Sequence, residues 1–571
     1  MRARALVIAS ALVAGTAVAG SAATTAPSKA AGSARPAHAP TAPSPAALGL
    51  HHDDFRTAAT LRAARERVLA GQRLASHRTD LAAAQQPVWG YANTESALPD
   101  VDGDGVGDVL SSRLYARTPA LKVLSGRTGR TLWSVPTPAS TLAAVYVPAP
   151  SGKSVMLVLS ETQSGQDTPA GGGATDVFTV SAVNPRTGAA VWSTSITGVV
   201  EYDPATALVL GIGEFDGVLM HNGTTPYLLL DRFTLHFDGV TFATSLTPEV
   251  LDATNGNVVH AGAPLGGDEY TYAAPVGDLD ADGVDDYLLF SGGDVPAESA
   301  RSGATGKPLW NAEGTSYSFV FSLVQSPDLS GDHKPDLLLG WYTGDSTVVH
   351  AVDGSTGKDV WTSAGEYGIP IGDVDHDGRS DTRVDSYGLR LTFNAISGTG
   401  KRLWSRDVLS PSGTRGQIWS AGDLDGDRYA DAYVEFVSAK DENAAGKSAA
   451  VVSGRTGASH SSADLGTPVG QSLRAGGAPS FVRGVSSKKG YSLTAFDGHS
   501  HRSLWRTVVK GGDIQRIETS DVVNLGHGQL GLLVLLSGRF TNTVALYDGH
   551  SGKRLWSSVY ETQGDGGVVF F

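Results

Sequence analysis

From Trp89 to Phe571 the chain alternates short apolar runs with turns rich in Gly, Asp and Ser. Runs of this length bounded by such turns are typical of β-strands. One representative stretch predicts four successive strands, at Tyr270–Gly277, Tyr287–Phe290, Ala297–Arg301 and Lys307–Trp310. The segment 89–571 is therefore predicted to be all-β.

One phrase of eight or nine residues recurs through this segment. It starts with Asp, Ser or Asn, passes through Thr-Gly in most copies, and commonly ends in Leu-Trp. The Gly part predicts a hairpin turn, and the Trp is expected to pack between neighbouring repeats. The nine copies are Ser125–Trp133, Asn184–Trp192, Asp252–His260, Ser302–Trp310, Asp353–Trp361, Ser397–Trp404, Ser453–Ser461, Asp497–Trp505 and Asp548–Trp556.

Four strands per repeat, in one long array, predict a β-propeller of four-stranded blades. Nine repeats are countable, and a ring of seven or eight blades stays open if an end unit is degenerate or merges with another.

Five repeats carry a second motif, a loop with Asp or Ser at positions one, three, five and nine. The five sets are Asp100, Asp102, Asp104 and Asp108; Asp278, Asp280, Asp282 and Asp286; Asp328, Ser330, Asp332 and Asp336; Asp373, Asp375, Asp377 and Asp381; and Asp423, Asp425, Asp427 and Asp431. Position six is Gly in three loops, at Gly105, Gly283 and Gly378, which permits a sharp bend.

Calcium explains this spacing, because the ion takes six to eight hard oxygen ligands and alternate carboxylates of a tight loop can supply them. Position seven is expected to add a backbone carbonyl, from Val106, Val284, Lys334, Arg379 and Tyr429. The loop is not an EF-hand, since position twelve lacks Glu. Magnesium suits it less well, because that ion demands octahedral geometry. The alternative is that the loops are ordinary Asp-Gly turns.

The loops are not equivalent. The third is expected to be the weakest, because Ser330 replaces a carboxylate and His333 replaces Gly. Two further segments, Glu214–Val218 and Asn524–Leu532, occupy the expected position of a loop without its carboxylates, and are expected to be metal-free.

The N-terminus predicts export. Arg2 and Arg4 precede an apolar run that ends in small residues, which is the order of a signal peptide, assigned to residues 1–23. Residues 24–52 are rich in Ala, Pro and Ser and are expected to be a disordered linker. Residues 53–85 are expected to form a helix. The protein is accordingly predicted to be secreted and extracellular, with no membrane-spanning segment.

Composition narrows the function classes. The net charge of −14 disfavours nucleic-acid binding, and the absence of Cys removes disulfides, thiolate metal sites and Cys nucleophiles. We find no zinc-protease helix motif, no Gly-x-Ser-x-Gly elbow and no phosphate loop. His499, His501 and His550 lie in hairpin turns, where solvent exposure is expected. No catalytic residue is assigned, and a monomer is expected.

The loop sequences resemble FG-GAP or VCBS repeats, which occur in the integrin α-chain head and in many secreted bacterial proteins. The resemblance is carried by Val276–Gly283, Ile371–Gly378 and Ala421–Asp427. It implies calcium binding by the Asp sets. Asp353–Trp361 resembles the tryptophan-docking repeat of pyrroloquinoline-quinone enzymes, which implies a structural Trp. The adjacent Cys residues that those enzymes place over the cofactor are absent here.

Three functional interpretations follow. The first is a calcium-binding module that binds an extracellular protein or glycan, as in adhesion. The second is a carbohydrate-active enzyme, similar to a polysaccharide lyase, on a calcium-stabilised propeller. The third is a scaffold or a quinone-type protein without the usual cofactor cover. A cluster of Arg, Lys, His and Tyr at one mouth of the channel would favour the second, and a metal-rimmed face without it would favour the first.

Overall fold

The computed structural model describes residues 88–91, 95–113, 120–136, 141–149, 152–164, 174–200, 208–221, 225–237, 242–262, 265–267, 272–291, 297–313, 319–342, 346–387, 390–438, 448–469, 471–474, 477–487, 490–509, 514–538 and 541–561. The predicted signal peptide, linker and helix lie outside the described residues. No helix that is long and apolar enough to span a membrane occurs in the described ranges.

The described secondary structure consists of strands joined by turns, and the strands form nine antiparallel sheets. The strands of the first three blades are β1 (Val88–Tyr91), β2 (Glu95–Ala97), β3 (Val109–Arg113), β4 (Ala120–Leu124), β5 (Thr131–Pro136), β6 (Thr141–Val147), β7 (Val155–Ser164), β8 (Ala174–Val183), β9 (Ala190–Val200), β10 (Leu208–Met220), β11 (Pro226–Phe237), β12 (Phe242–Asp252), β13 (Val258–Ala261) and β14 (Leu265–Gly267).

The strands of blades 4 to 6 are β15 (Tyr272–Gly277), β16 (Asp286–Ser291), β17 (Ala297–Arg301), β18 (Pro308–Glu313), β19 (Phe319–Ser326), β20 (Asp336–Tyr342), β21 (Thr347–Val352), β22 (Asp359–Ala364), β23 (Tyr367–Gly372), β24 (Asp381–Ser386), β25 (Arg390–Ile396) and β26 (Arg402–Leu409). Those of blades 7 to 9 are β27 (Thr414–Ser420), β28 (Ala432–Ser438), β29 (Ser448–Val452), β30 (Ser459–Ser462), β31 (Thr467–Pro468), β32 (Ser480–Ser487), β33 (Gly490–Asp497), β34 (Ser503–Val509), β35 (Ile514–Gly526), β36 (Gln529–Gly538), β37 (Thr541–Asp548) and β38 (Arg554–Glu561).

Each blade is a four-stranded meander, and the nine blades form a propeller ring. The all-β propeller prediction is confirmed, with nine blades as the count. Two sheets carry a fifth strand: β1 pairs with β6 in blade 2, and β14 pairs with β12 in blade 3. First strands of neighbouring blades contact each other, for example β15 with β19 and β19 with β23, so the first strand is the inner one.

The hydrophobic core lies between blades rather than at one centre. One cluster joins Val384 and Ile396 of blade 6 to Leu338 and Val349 of blade 5. Another joins Phe393 of blade 6 to neighbours in blade 7. Because each sheet buries both faces against its neighbours, the second strands β16, β20 and β36 of blades 4, 5 and 9 are almost continuously apolar. In blade 6 the second strand β24 instead buries Arg383 and Asp385.

The Trp residues of the repeated phrase join the blades, as predicted. The indole Nε1 of Trp310 donates to the backbone oxygen of Gly354 in the next blade, at 2.7 Å. The equivalent bond runs from Trp133 to Pro185, at 2.7 Å. The ring covers the Gly of the next Thr-Gly turn, so that a Cβ at Gly357 would lie 2.4 Å from the Trp310 ring.

The ring closes by this same contact, without exchange of strands between the first and last blades. Trp556 of blade 9 donates to Gly126 of blade 1 at 2.7 Å. Beside it, the backbone N–H of Gly107 donates to the carbonyl of Asn524, also at 2.7 Å. Leu533 of blade 9 and Val109 of blade 1 share a buried cluster.

Two copies of the phrase lack Trp, yet they dock with His. In blade 3, His260 Nε2 lies 3.0 Å from the backbone oxygen of Gly303, in the place of the indole. In blade 7, His460 pairs across from Val451, and its ring stacks on that of His501 with centroids 6.3 Å apart. His501 occupies the turn position that is Gly elsewhere, so the prediction of a solvent-exposed His501 is wrong: the side chain packs in a blade junction.

The prediction that Glu214–Val218 occupies a loop position is also wrong. These residues lie inside β10, where Glu214 pairs with Asp231, and the turn of blade 3 follows Met220 instead. In blade 9 the turn falls within the expected segment Asn524–Leu532: Asn524 still pairs with Leu530 in β35, and His527 and Gly528 form the tight turn to β36.

Candidate functional site

The five acidic loops connect the first and second strands of blades 1, 4, 5, 6 and 7. The repeated Gly turns connect the third and fourth strands. In a meander these two connections lie at the same end of the sheet, so all five loops lie on one face of the ring, which we call the loop face. Four of the loops occupy consecutive blades, 4 to 7, and form an arc.

The backbone turns sharply at positions four and six of each loop. In loop 2, Ala281 and Gly283 have φ of 65° and 91°. Position six keeps the left-handed conformation where it is not Gly, with φ of 65° at His333 and 77° at Arg428. The sequence analysis predicted a sharp bend only at position six. Position four was missed because Gly, Ala and His occupy it in different loops.

Within loop 2 the carboxylates organise the backbone. Asp278 accepts hydrogen bonds from the N–H groups of Asp282 at 3.1 Å and Gly283 at 2.9 Å. Asp280 and Asp282 each accept one backbone N–H through Oδ1, from positions five and seven. The second oxygen of both side chains has no hydrogen-bond partner among the described residues, and so is available to a cation.

The ninth-position Asp has a different role. Asp286 is fully buried and accepts three backbone N–H groups: from Leu279 at 2.7 Å, Asp280 at 3.3 Å and Gly303 at 3.0 Å. The same three bonds recur at Asp108, Asp336, Asp381 and Asp431. This side chain therefore ties each acidic loop to the Gly turn of its own blade.

Burial dominates the titration of these ninth-position carboxyls. It raises the pKa of Asp286 to about 7 and the pKa of Asp108, Asp381 and Asp431 to about 6, while the backbone N–H donors act in the opposite direction.

Four loops bring three carboxylates together, with ligand oxygens within 4.8 Å of one another. The groups are Asp100, Asp102 and Asp108; Asp278, Asp280 and Asp282; Asp373, Asp375 and Asp381; and Asp423, Asp425 and Asp431. Such a set of hard oxygens fits a divalent cation.

The fifth position is engaged by the Gly turn in three loops. In loop 1, Asp104 accepts from Arg127 Nε at 2.9 Å. Ser355 Oγ donates to Asp332 at 2.7 Å in loop 3, and Ser397 Oγ donates to Asp377 at 3.2 Å in loop 4. No such donor from the Gly turn reaches Asp282 or Asp427 among the described residues. Of the four sets, only that of loop 2 contains no buried carboxylate.

Loop 3 lies beside the side chains of His333 and Arg379. His333 Nδ1 lies 3.4 Å from Asp328 Oδ2. Arg379 reaches over from loop 4: its Nη1 lies 3.5 Å from the carbonyl of Leu329, and a Cβ at Gly331 would lie 2.9 Å from its guanidinium. Loop 3 also contributes no three-carboxylate group in the described ranges. Of the five predicted sites, this one therefore has the least suitable surroundings for a metal.

Position-seven side chains link the loops of neighbouring blades. Besides Arg379, Tyr429 of loop 5 donates its hydroxyl to the backbone oxygen of Asp373 in loop 4, at 3.0 Å. These residues were predicted only as carbonyl donors, and the sequence gives no signal for the contact because it depends on the placement of the adjacent blade.

A second polar cluster lies in blade 6, towards the face opposite the loops. Arg383 is fully buried and forms two hydrogen bonds to Asp385, at 2.8 and 3.1 Å. Burial, followed by the charge of Asp385, raises the pKa of nearby Tyr387 well above its usual range. Because this guanidinium is interior and paired, the cluster does not offer the open Arg and Tyr groups that a lyase would need.

No protein-family model matches the chain, and no curated protein matches it. Solved structures that match include the Dos1 propeller, at 14% identity over 50% of this chain and 70% of that chain, with a TM-score of 0.29. The C-terminal WD40 domain of Sif2 has 13% identity over 64% and 85%, with a TM-score of 0.24. Chaetomium thermophilum Sqt1, bound to the N-terminus of ribosomal protein L10, has 16% identity over 61% and 89%, with a TM-score of 0.33. At these identities and TM-scores, no function of these proteins can be assigned to this chain.

Fold and site together define the class of protein: a nine-bladed β-propeller with acidic loops on one face that are suited to metal ions.

Proposed function

We propose that this chain is a secreted, calcium-binding propeller whose loop face binds an extracellular protein or glycan. The acidic loops would then be calcium loops of the FG-GAP or VCBS type. The observation that carries the proposal is the group of four acidic loops, in blades 1, 4, 6 and 7, each with three carboxylates whose oxygens lie within 4.8 Å of one another.

Calcium fits the residues present. The donors are carboxylates in short loops, which give hard oxygens in a flexible, irregular arrangement, and calcium tolerates such geometry while magnesium does not. With metal bound, the ion would neutralise the repulsion between the crowded carboxylates of loops 2 and 5 and link the two halves of each loop. The chain's own contribution is the backbone turn that holds these side chains together.

The metal is tested by calorimetric titration of calcium into the full chain, alongside melting curves. We expect binding in four loops and a melting temperature that rises with calcium through the millimolar range. An ion at a hundredfold its Kd stabilises by about 2.7 kcal/mol per site. The double variant Asp280→Asn/Asp282→Asn should lose one site. The side chain of Asn keeps an oxygen that accepts the backbone N–H, but it lacks the negative charge that attracts the ion.

The matched control is Asp328→Asn/Asp332→Asn in loop 3, which should leave the calcium stoichiometry unchanged. Identical melting curves in calcium, magnesium and chelator would show that all five loops are only turns, and the metal assignment would be wrong.

The binding role is tested by glycan arrays and by capture of secreted proteins, each in calcium and in chelator. We expect a partner that binds in calcium and is lost with the loop 5 variant Asp423→Asn/Asp425→Asn but retained with the loop 3 control. Retention of the partner by the loop 5 variant would place binding elsewhere on the ring. Sequencing the N-terminus of exported protein tests secretion, and an intact Met1 outside the cell would contradict the predicted cleavage.

A further inference from the structure

The junction between blades 7 and 8 departs from the docking rule of the other junctions. Elsewhere the ring that ends the repeated phrase, Trp or His260, covers a Gly of the turn in the next blade. Here His460 ends the phrase, and His501 occupies the turn position with φ of 56°. The two rings stack with centroids 6.3 Å apart and planes 23° apart. This junction therefore places two ionisable rings against each other.

The contacts of the two rings suit their neutral forms. Nδ1 of His501 lies 3.3 Å from Oγ of Ser462, which is an uncharged partner. In the part of the chain that the structure describes, no carboxylate forms an ion pair with His460 or His501. A positive charge on both rings would therefore be repelled across the junction without a carboxylate to offset it.

The charged groups around the ring pair do not supply such a carboxylate. On the turn that carries His501, the carboxylate of Asp497 accepts the N–H and the hydroxyl of Ser500, each at 2.7 Å. The same turn adds a further ionisable ring, His499. Deeper in the junction, the carboxylate of Asp464 lies 3.7 Å from the guanidinium of Arg483 and is paired there.

We propose that the junction between blades 7 and 8 is an acid-sensitive seam of the ring, which loosens when His501 becomes charged beside His460. Burial, followed by the charges of His460 and His499, lowers the pKa of His501 from its usual 6.5, while Asp497 acts in the opposite direction. Separation of the rings restores the ordinary pKa, so protonation favours the separated state. The contribution of neutral His501 to the closed junction is complete above pH 6.5 and is lost progressively as the pH falls below that value.

Strand lengths favour a change at this junction. The strand that carries His460, β30, has four residues, and the adjoining inner strand β31 has two. At the preceding junction, β26 and β27 have eight and seven residues. Deeper between blades 7 and 8, the rings of Tyr433 and Phe481 remain in contact, with centroids 4.7 Å apart. We therefore expect the outer part of the junction to loosen while the ring as a whole stays folded.

Spin labels on opposite sides of the seam report its separation. The chain has no Cys, so introduced Cys residues carry labels without background. Ser461→Cys on β30 and Ser503→Cys after the turn replace two exposed, uncharged residues. Distances between the labels are measured by pulsed electron paramagnetic resonance on the full chain, at about pH 7.5 and about pH 5. We expect the separated population to grow about threefold or more at the lower pH.

A matched label pair controls for general loosening of the ring in acid. Ser557→Cys and Thr131→Cys occupy the equivalent exposed positions at the junction where Trp556 covers Gly129. Their distances should not change between the two pH values, because neither docking partner titrates in this range. An equal change at both junctions would overturn the proposal.

Two variants of the seam connect the response to the ring pair. The double variant His460→Trp/His501→Gly restores the docking pair of the other junctions, and His501→Asn keeps a residue that tolerates positive φ but does not titrate. The pH response should be lost in either variant that folds. Distances at the seam that are unchanged by pH in the natural sequence, or a response that persists in these variants, would show that the histidine pair is not a switch.

Discussion

At the residue scale, the same type of side chain has two roles in loop 2. Asp282 is exposed and keeps one oxygen without a hydrogen-bond partner among the described residues, whereas Asp286, four positions later, is buried and bonded to three backbone N–H groups. The first can hold a cation, and the second holds the loop to the Gly turn. In loop 2 burial, rather than residue type, separates the two roles. In loops 1, 4 and 5 the buried ninth-position residues Asp108, Asp381 and Asp431 also belong to the three-carboxylate sets.

Burial also creates a carboxyl group outside the loops that titrates near neutral pH. Glu298 on β17 is 5% exposed, and its Oε1 has no hydrogen-bond partner. Loss of hydration, followed by the charge of Asp359, raises the pKa of Glu298 from 4.5 to about 8. The protonated form is therefore favoured in the folded protein more than in the unfolded chain.

Glu298→Gln should consequently gain stability over the natural protein as pH rises. The favourable contribution of protonated Glu298 is complete below pH 4.5, declines above it, and is lost as pH passes through about 8. We expect the two proteins to melt similarly at about pH 4.5, and the variant to be more stable by on the order of 3 kcal/mol at about pH 9. Glu561→Gln, on the surface, is the control. Parallel melting temperatures across pH would mean that Glu298 ionises normally.

At the scale of the element, one strand-turn unit repeats with a fixed docking rule: the ring at the end of the phrase covers the Thr-Gly turn of the next blade. In blade 3 the smaller ring of His260 makes this contact, and it covers Gly306 in the turn of the next blade. At the blade 7–8 junction both partners change together, since His460 stacks on His501. The docking geometry thus restricts the residue types at two positions together: the ring at the end of the phrase and the Gly position of the turn in the next blade.

Substitutions at two glycines distinguish the free-energy cost of a clash with the docked Trp from the cost of a positive φ. Gly357 and Gly413 have similar φ, 71° and 76°, but a Cβ would meet the Trp310 ring at Gly357 and nothing within 4 Å at Gly413. We expect Gly413→Ala to cost about 1–2 kcal/mol and Gly357→Ala about 2 kcal/mol more, because the indole must move. Thermal or urea unfolding measures both. Equal losses would mean that the Trp310 contact is not tight.

At the scale of the whole molecule, nine blades close into a ring without a shared strand between the first and last sheets. Among the described residues, closure depends on the docking of Trp556, the backbone hydrogen bond from Gly107 to Asn524 and a buried cluster between blades 9 and 1. The four meander strands of each blade come from one continuous stretch, so the closing junction, like the internal ones, is formed by contacts between separate blades.

A matched pair of Trp variants tests whether the closing junction is equivalent to an internal one. Trp556 and Trp505 are 8% and 7% exposed, and each donates to a backbone oxygen at 2.7 Å. We expect Trp556→Ala and Trp505→Ala each to cost about 3–5 kcal/mol. A much smaller loss for Trp556→Ala, measured by unfolding, would indicate a ring that opens at the closure.

The sequence by itself determined the repeat, the four strands of each blade, the docking Trp and the positions of the five acidic loops. These are local features, because a Gly turn, a two-residue alternation and a run of aspartates each depend on neighbours within about ten residues. The strands expected in blade 4, for example, match β15 to β18 closely.

Only the tertiary structure decided which of these features cooperate. Arg379 and Leu329, and His460 and His501, are far apart in the chain, and their contacts depend on how blades stack. Asp286 and Gly303 meet within blade 4, where strand pairing brings the acidic loop beside the Gly turn. The same stacking places the guanidinium of Arg379 beside loop 3. A single sequence carries no local signal for such contacts, because the partner lies in another strand or another blade.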